Sequence, residues 1–433
     1  MQSMLDIKFI TENPDLVREA AKKKRVDFSV DELLKIDEER RAVLCEVEEF
    51  RAEKNSVSGD ISGIKDESEK QKKIEEMRGL KEKLAQKENK LKEIEGKWKE
   101  LMLQAPNIPD LSVPEGESEA DNQKIRTWGE IPEFGSPPRD FEPKGHIELM
   151  EKLNLVDLGR GAKVAGFRGY FLKGDAAILS IALWQLAFDL WVKKGFIPMT
   201  APSLCREESF TGSGWLPQGK EEVYKTQDDL YLAGTAEVPI MGFHKDEILE
   251  EKDLPKKYIA FSPCYRREAG SYGKDEKGIF RLHEFAKIEQ VVLCKADHEE
   301  SVRWHEEITR NSEEIMQVLG IPYCVVINCG ADLGLGQVKK YDIEAWVPSE
   351  KRYRETHSSS YFHDFQTRRL NIRYRSNDEK LKFCHSLNNT AVATPRILIS
   401  LLENNQLKDG SVKVPEVLKK YLGKDVISSE NKF

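Results

Sequence analysis

The sequence predicts an α+β protein: a long helical hairpin at the N-terminus, followed by a domain built on an antiparallel sheet flanked by helices. Three observations predict it. Apolar residues recur at heptad spacing through two highly charged segments on either side of Ser58-Gly59-Asp60-Ile61-Ser62-Gly63. From His146 onward the chain is denser in apolar residues and stays so. Within that part, Ile259–Leu293 reads as two strands joined by a long polar loop.

The totals bound the answer. At 433 residues the chain has room for two or three domains and a sizeable core. Charged residues make up 33% of it and the net charge is −8. It contains no apolar run long enough to predict a membrane span. Its first residues show neither a secretory signal nor an Arg- and Ser-rich transit pattern, so a cytoplasmic protein is expected. The acidic total argues weakly against nucleic acid, because local patches rather than sums decide phosphate affinity. The seven cysteines form no CxxC pair, which suits reduced thiols.

Taken in order, residues 5–24 read as a short strand and then a helix starting at Asn13-Pro14, with Asn as N-cap and Pro at the first helical position. Val30 to about Val57 is a charged helix in which Ile36, Val43, Phe50 and Val57 recur every seven residues, with Arg40 and Lys54 interrupting the companion row. Ser58–Gly63 is read as the turn. The second helix carries Met77, Leu80, Leu84, Leu91, Ile94, Trp98 and Leu101, with Lys87 at the one missing step. Together they make an antiparallel coiled-coil arm over about 30–101, reaching roughly 45 Å at about 1.5 Å per residue. Its many lysines, interleaved with Glu, also suit an ordinary solvated surface. The expected domains are 1–105 with the arm, a Pro-, Gly- and acid-rich linker at 106–143, a main domain at 144–425 and a flexible tail at 426–433.

Gly174–Lys194 is a helix apolar nearly all round, which places it in a core or an interface. Gly214-Trp-Leu-Pro-Gln-Gly219-Lys220 starts like a P-loop but has Glu221 where Ser or Thr should reach magnesium, and Pro217 inside it; it is a chance match. His283-Glu284, His298-Glu299 and His305-Glu306 each lack the second histidine of HExxH, so no zinc is expected.

The chemistry concentrates in Ile259–Leu293. If Arg281–Val292 is extended, Arg281, His283, Phe285, Lys287 and Glu289 share one face, and Ala286, Ile288 and Val292 share the other. A solvated sheet face is one reading. The other is a site in which Arg266 and Arg281 hold a polyphosphate and Phe285 stacks on a planar base.

Tyr265-Arg266-Arg267-Glu268, the loop, and Phe280-Arg281-Leu282-His283-Glu284-Phe285 resemble motif 2 of the class II aminoacyl-tRNA synthetases, and the best match within that class is the bacterial-type seryl-tRNA synthetase family. The resemblance runs over nearly the whole chain. The helix Gly174–Lys194 with Pro202 is similar to motif 1, which in the family builds a homodimer. Cys384–Arg396 is similar to motif 3, whose arginine at a helix start is here Arg396, with Thr394 read as the cap and Pro395 as the first helical residue.

The resemblance implies the rest. The reaction would activate serine with ATP and pass it to the terminal adenosine of tRNA(Ser), with tRNA(Sec) a further candidate acceptor. Arg266 and Arg396 would be the catalytic cations. Thr235, Ala236, Glu237, Arg266, Glu289, Asn388 and Thr390 would bind serine, with Gly234 standing where the family has Pro. Arg266, Arg267, Glu268, Arg281, Phe285, Glu355, Thr356, His357, Ser358 and Arg396 would bind ATP; Arg267 and His357 both replace a usual Ser. Glu355 and Ser358 would hold Mg2+, since magnesium prefers oxygen donors. The arm would grip tRNA. A carrier-loading paralogue and a non-catalytic tRNA-binding protein are the alternatives; the long arm argues against the first, and intact Arg266, Glu268, Arg281, Glu355 and Arg396 against the second.

Overall fold

A computed structural model describes residues 6–61, 66–269 and 278–429. The chain divides into two compact units, Met1–Pro106 and Asn107–Phe433.

In the first unit the opening segment departs from the expected strand: Ile7–Glu12 is a short helix capped by the Asp6 side chain on the Lys8 amide. The second helix, Pro14–Lys23, starts where expected, with Asn13 as N-cap and Pro at its first turn. The arm consists of Val30–Ile61 and Glu67–Gln104. The first helix therefore runs through Ser58 and Gly59, part of the expected turn, because two residues of low propensity do not stop a long helix that packs along a seam. The remainder of the expected turn, 62–63, lies outside the described residues. Val43, Val47, Leu84, Leu91 and Ile94 form the seam, with Ile36, Leu44 and Phe50 packed against it. Lys87, the break in the heptad, pairs across the seam with Glu46. Arg40, the break on the other helix, lies over Trp98 with its guanidinium carbon 4.8 Å from the ring centre.

The second unit is organised by an eight-stranded sheet. Its strand order is Gln123–Trp128, Tyr323–Ile327, Lys339–Val347, Arg352–His363, His385–Thr394, Glu284–Cys294, Lys256–Tyr265 and Ile197–Thr200. All neighbours are antiparallel except the last pair. The stretch expected as a linker thus contributes an edge strand, Gln123–Trp128. Its Thr and Trp suit a strand; the surrounding Pro and Gly obscured it.

Helices cover one face of the sheet. His298–Val318 packs on the two central strands, Arg352–His363 and His385–Thr394, and Arg396–Asn404 packs nearby. By length and composition Asp175–Val192 is apolar enough to cross a membrane, although the sequence holds no unbroken apolar run of that length. Here it is a core helix: Leu179, Leu183 and Trp191 are buried with Ile288, Val292, Ile308, Ile315 and Leu401. Ile288 and Val292 therefore face the helices, and the odd-numbered residues of that strand face away from them. That leaves one face of the sheet for chemistry.

Candidate active site

The free face floors a cavity of about 500 Å³. The expected strand starts later than its pattern suggested. It runs Glu284–Cys294, so Arg281 and His283 precede it and do not share its face. Phe285, Lys287 and Glu289 do, and all three line the cavity.

Two β-bulges set the rest of the floor. On His385–Thr394 the pairing jumps from Glu289–Thr390 to Ile288–Val392, leaving Ala391 without an opposite residue. Asn388 and Thr390 line the cavity before it and Ala393 after it. The Ser312 hydroxyl, from the covering helix, donates to the Thr390 carbonyl at 2.8 Å beside that interruption. On Arg352–His363 the pairing jumps from Glu344–Glu355 to Ile343–His357, leaving Thr356 over. Glu355 and Ser358 then both line the cavity, although strict alternation would put them on opposite faces.

Arg266 leaves the end of Lys256–Tyr265. Its guanidinium donates to the Gly234 carbonyl at 3.3 Å through Nε and Nη2. It also lies 5.3 Å from the ring centre of Phe285 and 5.6 Å from that of Trp215. A Cβ on Gly234 would come within 3.2 Å of the Arg266 side chain, which gives a steric reason for glycine at this position. Glu268 adopts a left-handed backbone, φ 53°, uncommon away from glycine. Its carboxylate meets Arg281 at 3.0 Å. Arg396 sits in the first turn of its helix, but the cap is Pro395 and makes no side-chain bond; Thr394 still belongs to the strand and accepts from Trp184 Nε1 at 2.9 Å. The Arg396 guanidinium is 3.5 Å from Glu355 and lies over Phe280, whose other near cation is Arg354.

At the deep end, Thr235, Glu237, Lys287, Glu289, Asn388 and Thr390 converge, each less than a tenth exposed. Glu237 opens the helix Glu237–Phe243, and its carboxylate accepts from Gln366 at 2.6 Å. Burial pushes its carboxyl up to about 7, against the Gln366 hydrogen bond and with a further push from Glu289. Burial also raises Glu289, while the contacting Lys287 and the nearby Arg266 oppose the rise. Two carboxylates thus share a buried pocket with one lysine.

Some expected residues lie elsewhere. Arg267 is about half exposed, 3.7 Å from Glu221, and does not line the cavity. His357 is buried beside it, bonded through Nδ1 to the Thr356 hydroxyl at 2.8 Å, and burial lowers its imidazole to about 4, so it is neutral at pH 7. Ala236 is buried and contributes no lining side chain. Lys287, placed on this face by its alternation, lines the cavity as expected; Gln337 and the loop residues Gly214, Trp215, Gln218 and Gly219 also line it, with no functional signal in the sequence. That loop is the segment rejected as a P-loop. It follows a helix, Glu207–Ser213, rather than a strand, and leads to three residues of 3₁₀ helix, so it makes no phosphate cradle of that type.

An antiparallel sheet carrying this cluster of arginines and carboxylates defines a class II aminoacyl-tRNA synthetase core, and residues 221–405 match the tRNA synthetase class II core domain (G, H, P, S and T). Residues 4–109 match the seryl-tRNA synthetase N-terminal domain. The serine–tRNA ligase of Deinococcus radiodurans is 46% identical over 97% of this chain and 98% of its own. A solved seryl-tRNA synthetase from Pyrococcus horikoshii, complexed with ATP, superposes with a TM-score of 0.88 at 41% identity, covering 98% of this chain and 99% of that one. A cytoplasmic serine–tRNA ligase from Naegleria fowleri, in complex with AMP, gives 0.86 at 34%, with both chains fully covered. The chain belongs to the seryl-tRNA synthetase family, and its activity is that of a serine–tRNA ligase.

Proposed function

We propose that the deep pocket holds serine and the outer cavity holds ATP, so that the serine carboxylate attacks the α-phosphorus and pyrophosphate leaves. The carrying observation is the charge of the pocket: Glu237 and Glu289 are buried together, with Lys287 in contact with Glu289. The second carboxylate suits the α-ammonium of an amino acid. Thr235, Asn388 and Thr390 supply small hydrogen-bonding groups for a hydroxyl side chain, which suits serine. A buried polar set of this kind rejects alanine, whose methyl leaves it unpaired, by up to roughly 10⁴-fold.

Arg266 stands between the pocket and the outer cavity and bridges the serine carboxylate and the α-phosphate. Phe285 stacks on adenine, Glu268 meets its edge, and Arg281 and Arg396 neutralise the outer phosphates. No protein nucleophile is required: positioning and charge neutralisation lower the barrier. In the second step the terminal ribose hydroxyl of tRNA attacks the activated carbonyl and AMP leaves.

The Glu355 carboxylate and Ser358 hydroxyl, brought to one face by the bulge at Thr356, form an oxygen donor pair that fits Mg2+ beside Arg396. Magnesium there would neutralise phosphate charge. The arm is the tRNA-gripping element; its outward lysines support this. Ile178, Ile181 and Val192 on the core helix and Ile197 on the next strand are exposed, which supports a homodimer. The family's setting supports a cytoplasmic enzyme.

The test is to charge total tRNA with ATP, magnesium and each of the twenty amino acids in turn, then sequence the acylated tRNAs. Serine alone, on tRNAs with long variable arms, is the expected result. Serine-dependent pyrophosphate exchange without charging would favour carrier loading.

A further inference from the structure

Gln366 is fully buried behind the serine pocket, in the short helix Phe365–Arg369. Nε2 donates to the Glu237 carboxylate at 2.6 Å and to the Ser213 carbonyl at 3.0 Å. Oε1 accepts from the Ser386 hydroxyl at 2.7 Å. The orientation is determined by its partners: turning the amide over would set its oxygen against the Ser213 carbonyl, which cannot donate. Ser386 is itself fully buried at the start of the strand that carries Asn388 and Thr390.

We propose that Gln366 is a positioning residue for serine selection: it fixes the place of the Glu237 carboxylate and favours its ionised form, and Ser386 fixes Gln366. This rests on the reading of Glu237 as a serine-binding group. The chemistry follows from the donor. An amide N–H pointed at a buried carboxylate favours its charged form and spends one of its lone pairs, leaving the rest for an ammonium or hydroxyl. Lys287, Glu289 and Asn388 also face Glu237, but none of them reaches it from the side opposite the cavity; Gln366 does not line the cavity at all. Burial of a carboxylate against Glu289 opposes ionisation, so losing the Gln366 donor should weaken binding of the amino acid and leave ATP alone.

The experiment is pyrophosphate exchange with serine and ATP varied separately in Gln366→Met, which keeps the volume and removes both hydrogen-bonding functions, and in Ser386→Ala. The expected result is a serine KM raised about 10- to 100-fold in Gln366→Met and a smaller rise in Ser386→Ala, with the ATP KM changed by less than about twofold. Glu237→Gln provides the reference. If it leaves the serine KM unchanged, the reading of Glu237 fails. If it raises the serine KM and Gln366→Met does not, the role of Gln366 fails. Serine and ATP KM rising together in Gln366→Met would indicate a merely structural residue and overturn the proposal. In the double variant the Gln366 effect should vanish; additive effects would overturn it equally. Should Gln366→Met not fold, an unchanged serine KM in Ser386→Ala is sufficient to reject it.

Discussion

Glu355 and Ser358 lie three residues apart on one strand and yet face the same cavity, because Thr356 between them has no opposite residue on the neighbouring strand. A regular strand would have buried one of the two against the covering helices. The bulge is what makes a carboxylate and a hydroxyl available together at the outer end of the site.

Removal of that carboxylate should act through magnesium. Glu355→Ala is expected to raise the magnesium concentration needed for half-maximal pyrophosphate exchange about tenfold, with a smaller change in the serine KM. A magnesium titration checks this; an unchanged requirement would argue against Glu355 as a ligand.

The raised Glu237 carboxyl has a thermodynamic consequence. Its folded value, about 7, lies above its ordinary 4.5, so the folded protein holds the proton more tightly than the unfolded chain. That stabilisation is fully present below about 4.5 and is lost as pH rises through about 7, a loss of a few kcal/mol at roughly 1.4 kcal/mol per unit. Glu237→Gln carries no charge at any pH. Its melting temperature relative to wild type should therefore climb between pH 4.5 and 7. Thermal melts across that range measure it, and a constant difference would contradict the burial account.

The two units should separate the two half-reactions. Deletion of residues 31–100 is expected to leave serine-dependent pyrophosphate exchange within about threefold of the full chain and to abolish charging of tRNA. Aminoacylation assays on both proteins decide it. Normal charging by the truncated protein would remove the arm from tRNA recognition.

Much of this arrangement was legible in the sequence where residue type and period agree. The heptad seam of the arm and the alternation of Phe285, Lys287 and Glu289 are of that kind. So are Arg266 at a strand end and Arg396 in a helix's first turn. What escaped depends on contacts distant in sequence. A bulge has no local signature, so the shared face of Glu355 and Ser358 rested on resemblance alone. The pattern at Arg281–His283 alternates like the strand that follows, but pairing begins only at Glu284. Thr394 looks like a cap yet remains in the sheet, held by Trp184 from a helix about 210 residues earlier. Gln366 and the loop around Trp215 reach the site only through the fold. The polar loop expected at 268–278 and the tail at 426–433 lie in part outside the described residues.

If the buried carboxylates select serine while the outer cavity binds ATP, Glu289→Gln should separate the two substrates. Glu289 is 2% exposed and contacts Lys287, so the substitution removes a charge with little change of shape. Steady-state pyrophosphate exchange should show a serine KM raised by about 10- to 100-fold, an ATP KM within about twofold of wild type, and narrowed discrimination against alanine. A normal serine KM, or one that rises only in step with the ATP KM, would contradict the assignment of the pocket.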